Sequence, residues 1–579
     1  MTSVGANIPW EERVAKKQQE CFQKIPPAWR IPSSFWDNFQ TPLAEHKTDL
    51  VQEQAIRKSG ILSDRELDIT ENYTVSRLLS SLARGDLTSA EVTLAYCKRA
   101  AVAQQLVNCL TETMFEEAQK RAEYLDNLRA QGQVAGPLHG LPISIKDNFH
   151  YKGTQAIIGM FSFMDEVSSE SSPLVEILLK LGAVIYVKTN VPQTMMTTDS
   201  HNNVFGRTLN PRNTLLGPGG SSGGEGALIA LRGSPLGVGT DIGGSVRIPA
   251  LCCGTYGFRP SAARVPNGGM RVCTTSGMKF VLSCAGPLSL DLDGIETFFK
   301  TLFEVRPALY DSTILDIPWR QVSTKQKLRI GIVPESPNFP LQPPVQRTLV
   351  NAIRILKSQG HTVIPLDSEE CHIMEANSVA FGTFALDPAA RNLLESSGDP
   401  PVPALGHLGR QGEKLKKYLA PASDTSSLDR MGQLATLNTL KAEMREGYRK
   451  LWLTNDLDIC IAPPAQSTAV EHDTFGLPPY TAFLNALDFP SCILPFGHVN
   501  AEDATGKYEL KEHQVGPECE FQGLSRTLVR IHELIHHRAD NFDILDGAPC
   551  SIQLFTLNMR DEECLQMAKQ IDQDLKNRA

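Results

Sequence analysis

The chain has 579 residues, 41 % of them hydrophobic and 21 % charged, with 43 Gly and 37 Pro, which describes a globular protein rich in tight turns and excludes a disordered or fibrous chain. A net charge of −9 without a Lys/Arg-dense stripe excludes an electrostatic footprint for nucleic acid. The first residues lack the apolar core of a secretory leader, no apolar run of about 18 residues is present, and the 13 Cys form no C-x-x-C pair, so reduced thiols and a cytoplasmic location are expected.

In chain order, residues 1 to 60 read as a polar helical extension broken by IPPAWRIPSSFW (25–36), whose prolines force an extended path. Residues 61–579 read as one large α/β domain. Thr88-Ser-Ala-Glu91 predicts a capping box before a helix, and Phe115, Ala118, Ala122 and Leu125 recur at helical spacing. GLPISIKDNF (140–149) predicts a buried strand ending in a polar loop. PLVEILLKLGAVIYVKTN (173–190) predicts a helix, a stop at Gly182 and a second buried strand. After about 325 the alternation resumes with strand KLRIGIVPES, helix and strand VQRTLVNAIRILKSQGHTVIPL, and strand LDICIAPPA (457–465). Such an order implies an α/β sheet covered by helices on both faces. Adjacent Cys252 and Cys253 read as buried small hydrophobes without chemistry.

Residues 210–260 carry 13 glycines, a density that lets backbone N–H groups converge on an anion or oxyanion. No G-x-x-x-x-G-K-[ST] occurs, and Gly237-Val-Gly239-Thr-Asp-Ile242 fails as a dinucleotide fingerprint at its third glycine. Gly219-Gly-Ser221-Ser-Gly223 matches the pattern of a nucleophile elbow, but the loop-like NPRNTLLGP precedes it where a strand is required. Ser276-Gly-Met-Lys279 matches S-x-x-K without its companion motifs. Ser245, in Thr240-Asp-Ile-Gly-Gly-Ser245, lies among amides (Ile242, Gly243, Gly244, Ser245) that can serve as oxyanion donors. No histidine lies nearby. Lys146, at the end of an apolar strand, is a base only if burial lowers its pKa by roughly 3 units; otherwise it is a surface strand terminus paired with Asp147.

The sequence resembles the amidase signature family: GGSSGGEGALIA followed by GVGTDIGGSVRIPA is similar to its signature and PISIKD to its lysine strand, with 75 residues from Lys146 to Ser221 and 24 from Ser221 to Ser245. NNVFGRTLNP, PPYTAFLNALDFPSCILP and DGAPCSIQLF extend the likeness to the fungal acetamidase and fatty-acid-amide-hydrolase-like branch, with the signature core at about 136–300. The resemblance implies a single large α/β domain with a central mixed, twisted sheet covered by helices on both faces, and a Ser-Ser-Lys triad: Ser245 as nucleophile, Ser221 in a cis peptide as relay, and Lys146 as base. It further implies that Ser222 bonds the lysine amine, that Asp241 and Arg247 hold the glycine loop, and that Met195 contacts substrate. The expected activity is hydrolysis of a small aliphatic amide to carboxylate and ammonia or amine; the alternatives are a specialised-metabolite or fatty-acyl amide. No cofactor, metal, nucleic acid or membrane span is expected, and a homodimer is admissible. HELIHH (532–537) would make His532, Glu533 and His536 a zinc-peptidase site, but residue 542 is Phe rather than a third His, and the segment lies between family-like stretches. A surface helix is the expected reading. A third reading is a catalytically dead or partner-dependent member, like an amidotransferase subunit that feeds ammonia to a second enzyme; the presence of all three triad positions weighs against a dead scaffold.

Overall fold

The computed structural model describes residues 9–278, 280–323, 325–417, 425–503, 508, 510–517 and 544–577. Its strands are β1 (Leu110–Thr113), β2 (Pro142–Lys146), β3 (Val184–Thr189), β4 (His201–Asn202), β5 (Gly206–Arg207), β6 (Leu236–Asp241), β7 (Tyr256–Arg259), β8 (Cys284–Ser289), β9 (Arg329–Ile332), β10 (Thr362–Pro365), β11 (Ile459–Ala462), β12 (Ser491–His498) and β13 (Pro549–Phe555). All but β4 and β5 join one 11-stranded sheet in the order β1-β3-β2-β6-β8-β7-β12-β13-β11-β9-β10. β2 runs parallel to β3 and β6, and β9 parallel to β10 and β11; the remaining ladders are antiparallel. The sheet is mixed and flanked by helices within a single large α/β domain, as the alternation and the family resemblance together predict.

The apolar run of β2 follows from its position: every residue from Pro142 to Lys146 is buried between two parallel neighbours, where no polar face is needed. The helix Pro173–Lys180 returns the chain to β3 through Gly182 at φ +94°, where a Cβ would stand 2.8 Å from His139 Cα. Thr88 caps the helix Ser89–Val107 by accepting from the Glu91 amide. Glu91 does not complete the box; its carboxylate binds Arg65, and the Ser89 and Ala90 amides donate to Asp126 instead.

The proline-rich N-terminal stretch follows the helix Trp10–Gln23 with short 3-10 turns, and its Ile25, Phe35, Leu43, Leu50 and Ile56 enter the main hydrophobic core. Lys17 is buried and binds Glu112 on β1 at 2.6 Å. No helix among the described residues is long and apolar enough to cross a membrane.

Candidate active site

Three adjacent strands and two glycine-rich loops bring the predicted residues together. Lys146 ends β2 opposite Thr189 of β3 and is 0 % exposed. Its Nζ lies 2.7 Å from Ser221 Oγ and 2.8 Å from Thr240 Oγ1 of β6. The surface alternative is therefore excluded. Asp147 is occupied elsewhere, accepting from Thr111 Oγ1 at 2.7 Å and the Ile158 amide at 2.6 Å, with Lys188 Nζ at 3.4 Å. Burial strips water from the lysine and lowers its pKa to about 7; the charges of Asp241 and Glu225 oppose that shift.

Ser221 follows a cis Gly220–Ser221 bond and precedes the helix Gly223–Ala230. The loop lies so close to residues 197–199 that a Cβ on Gly220 would stand 2.5 Å from the Thr197 carbonyl oxygen. Ser222 departs from the expectation. Its hydroxyl exchanges long bonds of 3.3 and 3.4 Å with the Thr240 backbone and makes no bond to the lysine amine. Thr240 Oγ1 takes that place. The Ser222 amide instead donates to the Ser245 carbonyl at 3.1 Å, tying the two serine loops together.

β6 delivers Asp241 to the base of the second loop, which returns through the helix Arg247–Cys253. The fully buried Asp241 carboxylate accepts from the amides of Gly244 (2.8 Å) and Val246 (3.2 Å) and from Arg247 Nε (3.0 Å) and Nη2 (3.1 Å). The charge of Arg247 holds the Asp241 carboxyl well below the usual carboxylate range, against the effect of burial. Asp241 thus ties Arg247 to two amides of the loop. The Asp241 bond also removes Gly244 from the donor set, because that amide is already engaged. The amides of Ile242, Gly243 and Ser245 have no protein acceptor among the described residues.

Asn485, Thr481 and Gln553 complete the lock. Asn485 Nδ2 donates to Asp241 at 2.8 Å, Thr481 Oγ1 donates to the Gly243 carbonyl at 2.7 Å, and Arg247 Nη1 donates to Gln553 Oε1 at 2.9 Å. All three lie in PPYTAFLNALDFPSCILP and DGAPCSIQLF, segments noted in the sequence only for their likeness to the family. A polar residue inside an otherwise apolar stretch was the available signal.

Ser245 is half-buried and borders two cavities. One, of about 950 Å³, is lined by Phe381, Phe384, Leu405, Leu408 and Leu437 and reaches Ile242 and Gly243. The other, of about 590 Å³, contains Lys146, Ser221 and Thr240 in its wall. Met195, at φ +61°, stands where they meet. Ser276 lines the second cavity, whereas Lys279 is outside the described residues. Cys252 and Cys253 are fully buried, and burial pushes both thiols up. HELIHH, with His532, Glu533 and His536, also lies outside the described residues. Among those described, no group of three or more His, Cys, Asp or Glu is arranged to hold a metal.

Residues 91–565 match the family model described as Amidase. The chain is 35 % identical to an amidase of Gibberella moniliformis, over 99 % of this chain and 100 % of the relative. It is 34 % identical to an acetamidase of Emericella nidulans, over 98 % of each. A solved structure of fatty acid amide hydrolase superposes with a TM-score of 0.83 at 30 % identity, covering 98 % of this chain and 95 % of that one.

Proposed function

As the chain belongs to the amidase family and is an amide hydrolase, we propose that it works through Ser245 as nucleophile, Ser221 as proton relay and Lys146 as general base. The observation that carries this reading is a buried lysine 2.7 Å from Ser221 Oγ in the wall of the cavity that Ser245 borders. Neutral Lys146 draws the proton from Ser221 Oγ, which takes the proton of Ser245 Oγ as that oxygen attacks the amide carbon. Negative charge on the former carbonyl oxygen is met by the free amides of the Ile242–Ser245 loop. The C–N bond breaks as the proton returns through Ser221 to the leaving nitrogen. Water then attacks the acyl-Ser245 ester by the same relay, releasing carboxylate.

Ser245→Ala and Lys146→Ala are each expected to lower amide turnover by the purified single chain by ~10³-fold or more, with unchanged circular dichroism. Ser245→Ala is also expected to abolish labelling by a fluorophosphonate probe. Near wild-type turnover in either variant would rule out the triad.

The cavity beside Ser245 supports an amide with a sizeable apolar acyl group as substrate. Its volume of about 950 Å³ and its Phe and Leu lining far exceed what an acetyl group fills, and apolar burial is the main gain such a site offers. The second reading, a small aliphatic amide, is favoured by the relatives described as acetamidases, at 34 % and 33 % identity. Rates across amides of increasing acyl length separate the two: kcat/KM rises with length under the first and falls under the second.

A further inference from the structure

The loop that carries Ser221 is gripped from behind by a hydroxyl that faces no substrate space. Ser200 is 0 % exposed and lines neither of the two cavities that Ser245 borders. Its Oγ donates to the Gly219 carbonyl at 3.0 Å and accepts from the Gly223 amide at 3.1 Å. One hydroxyl thus spans Gly220, Ser221 and Ser222, bonded to the residue before that stretch and to the residue after it. Gly223 admits the approach, since a Cβ there would stand 2.2 Å from Ser200 Oγ.

The bond to Gly223 meets a need of the helix that follows the loop. The helix Gly223–Ala230 receives no side-chain bond from its own N-cap, Ser222, and first-turn amides find no acceptor within a helix. Ser200, 23 residues earlier in the chain, supplies one. Its own backbone is fixed on both sides: the amide donates to Asp199 Oδ1 at 2.9 Å, and the carbonyl accepts from the Thr208 amide at 2.9 Å. Asp199 Oδ2 in turn accepts from Arg207 Nη1 at 2.9 Å and from the Asp473 amide at 2.8 Å. A hydroxyl supported in this way fixes what it bonds to, because its own position is set by a second layer of hydrogen bonds.

We propose that Ser200 is a positioning residue: by holding both ends of the relay turn, it fixes the direction in which Ser221 takes the proton of Ser245 and returns it to the leaving nitrogen. No bond to Ser200 forms or breaks in the reaction, and it acts only through Ser221.

The inference rests on Ser221 being the relay. Cleavage of the C–N bond needs a proton on the leaving nitrogen, because an amide anion is a far poorer leaving group than the alkoxide of an ester. The test is therefore the ratio of kcat/KM for an amide to kcat/KM for an ester with the same acyl group, hexanamide and methyl hexanoate, in which acyl binding cancels. Ser200→Ala removes both bonds and leaves the cavity walls untouched. Positioned proton transfer contributes ~10²-fold or more, so a relay displaced but not lost is expected to lower the amide-to-ester ratio by about tenfold, with unchanged circular dichroism. A merely structural role predicts equal losses on both substrates and an unmoved ratio; that result, or full activity on both, overturns the proposal. Should the Ala variant not fold, Ser200→Cys decides. Its thiol fills the same place but is a weak donor and acceptor, so a smaller fall in the ratio supports the proposal and an unmoved ratio overturns it. Ser221→Ala separates the two readings: an unmoved ratio in that variant would sink the relay itself, whereas a collapsed ratio there with an unmoved one in Ser200→Ala sinks this inference alone.

Discussion

In the proposed mechanism the lysine can work as a base only because of what immediately surrounds it. A reference lysine near 10.4 is almost wholly protonated at neutral pH, and here complete burial brings it to about 7. Activity should therefore be low well below pH 7 and rise through it, the direction required of a base that must be neutral. The amine must also point at Ser221, and the Thr240 hydroxyl at 2.8 Å is its second anchor. Thr240→Val keeps the volume and removes that anchor. One such bond is worth about 1.4 kcal/mol, so kcat should fall by about tenfold with KM little changed; unaltered kcat at saturating substrate would count against an orienting role. The sequence places Thr240 inside a recognisable motif yet does not show this contact. Ser221 and Ser222 are adjacent, and their side chains take different directions: one reaches the lysine and the other the Thr240 backbone. Spacing along the chain does not determine which.

The elements differ in how far the sequence reveals them. β2, β3, β9, β10 and β11 are apolar runs bounded by Gly, Pro or charge, and the helices Pro173–Lys180 and Pro343–Ser358 end at Gly182 and Gly360; local chemistry alone marks them. β7, β12 and β13 are less visible because their register comes from distant partners: Phe258 pairs with Cys492, and Cys492 with Leu554. The glycine loop after β6 shows both limits. Its glycines announce a backbone site, but only the fold shows that the Gly244 amide is committed to Asp241. Gly244 has φ +128°, and a Cβ there would stand 2.2 Å from Thr481 Oγ1. Gly244→Ala must displace the loop from the helix Pro479–Leu487, misplacing Ser245 by a fraction of an ångström. Since misplacement on that scale can cost ~10²-fold, kcat should drop by about that factor with secondary structure intact. A variant retaining full kcat would show that this approach does not set the geometry.

At the scale of the whole molecule, a sheet buries Lys146 and a set of helices lines the large cavity beside Ser245. β2, β3 and β6 stand side by side in the sheet and surround Lys146 with strands. The large cavity is built instead from Ile373–Ala385, Pro403–Lys417 and Arg430–Asn455, helices remote in sequence from the serine loops. These helices carry no residue of the proposed relay, so substrate range and catalytic power should be separable by mutation of their cavity-facing side chains. Leu408, half-buried on the cavity wall, provides the test. Leu408→Trp narrows the chamber at the helix Pro403–Lys417, and kcat/KM for long-chain amides should fall by about tenfold or more while that for acetamide stays within about twofold. Equal losses on short and long amides would mean that the helices support the catalytic loops as well as the chamber, and a gain on long amides would place the acyl group elsewhere.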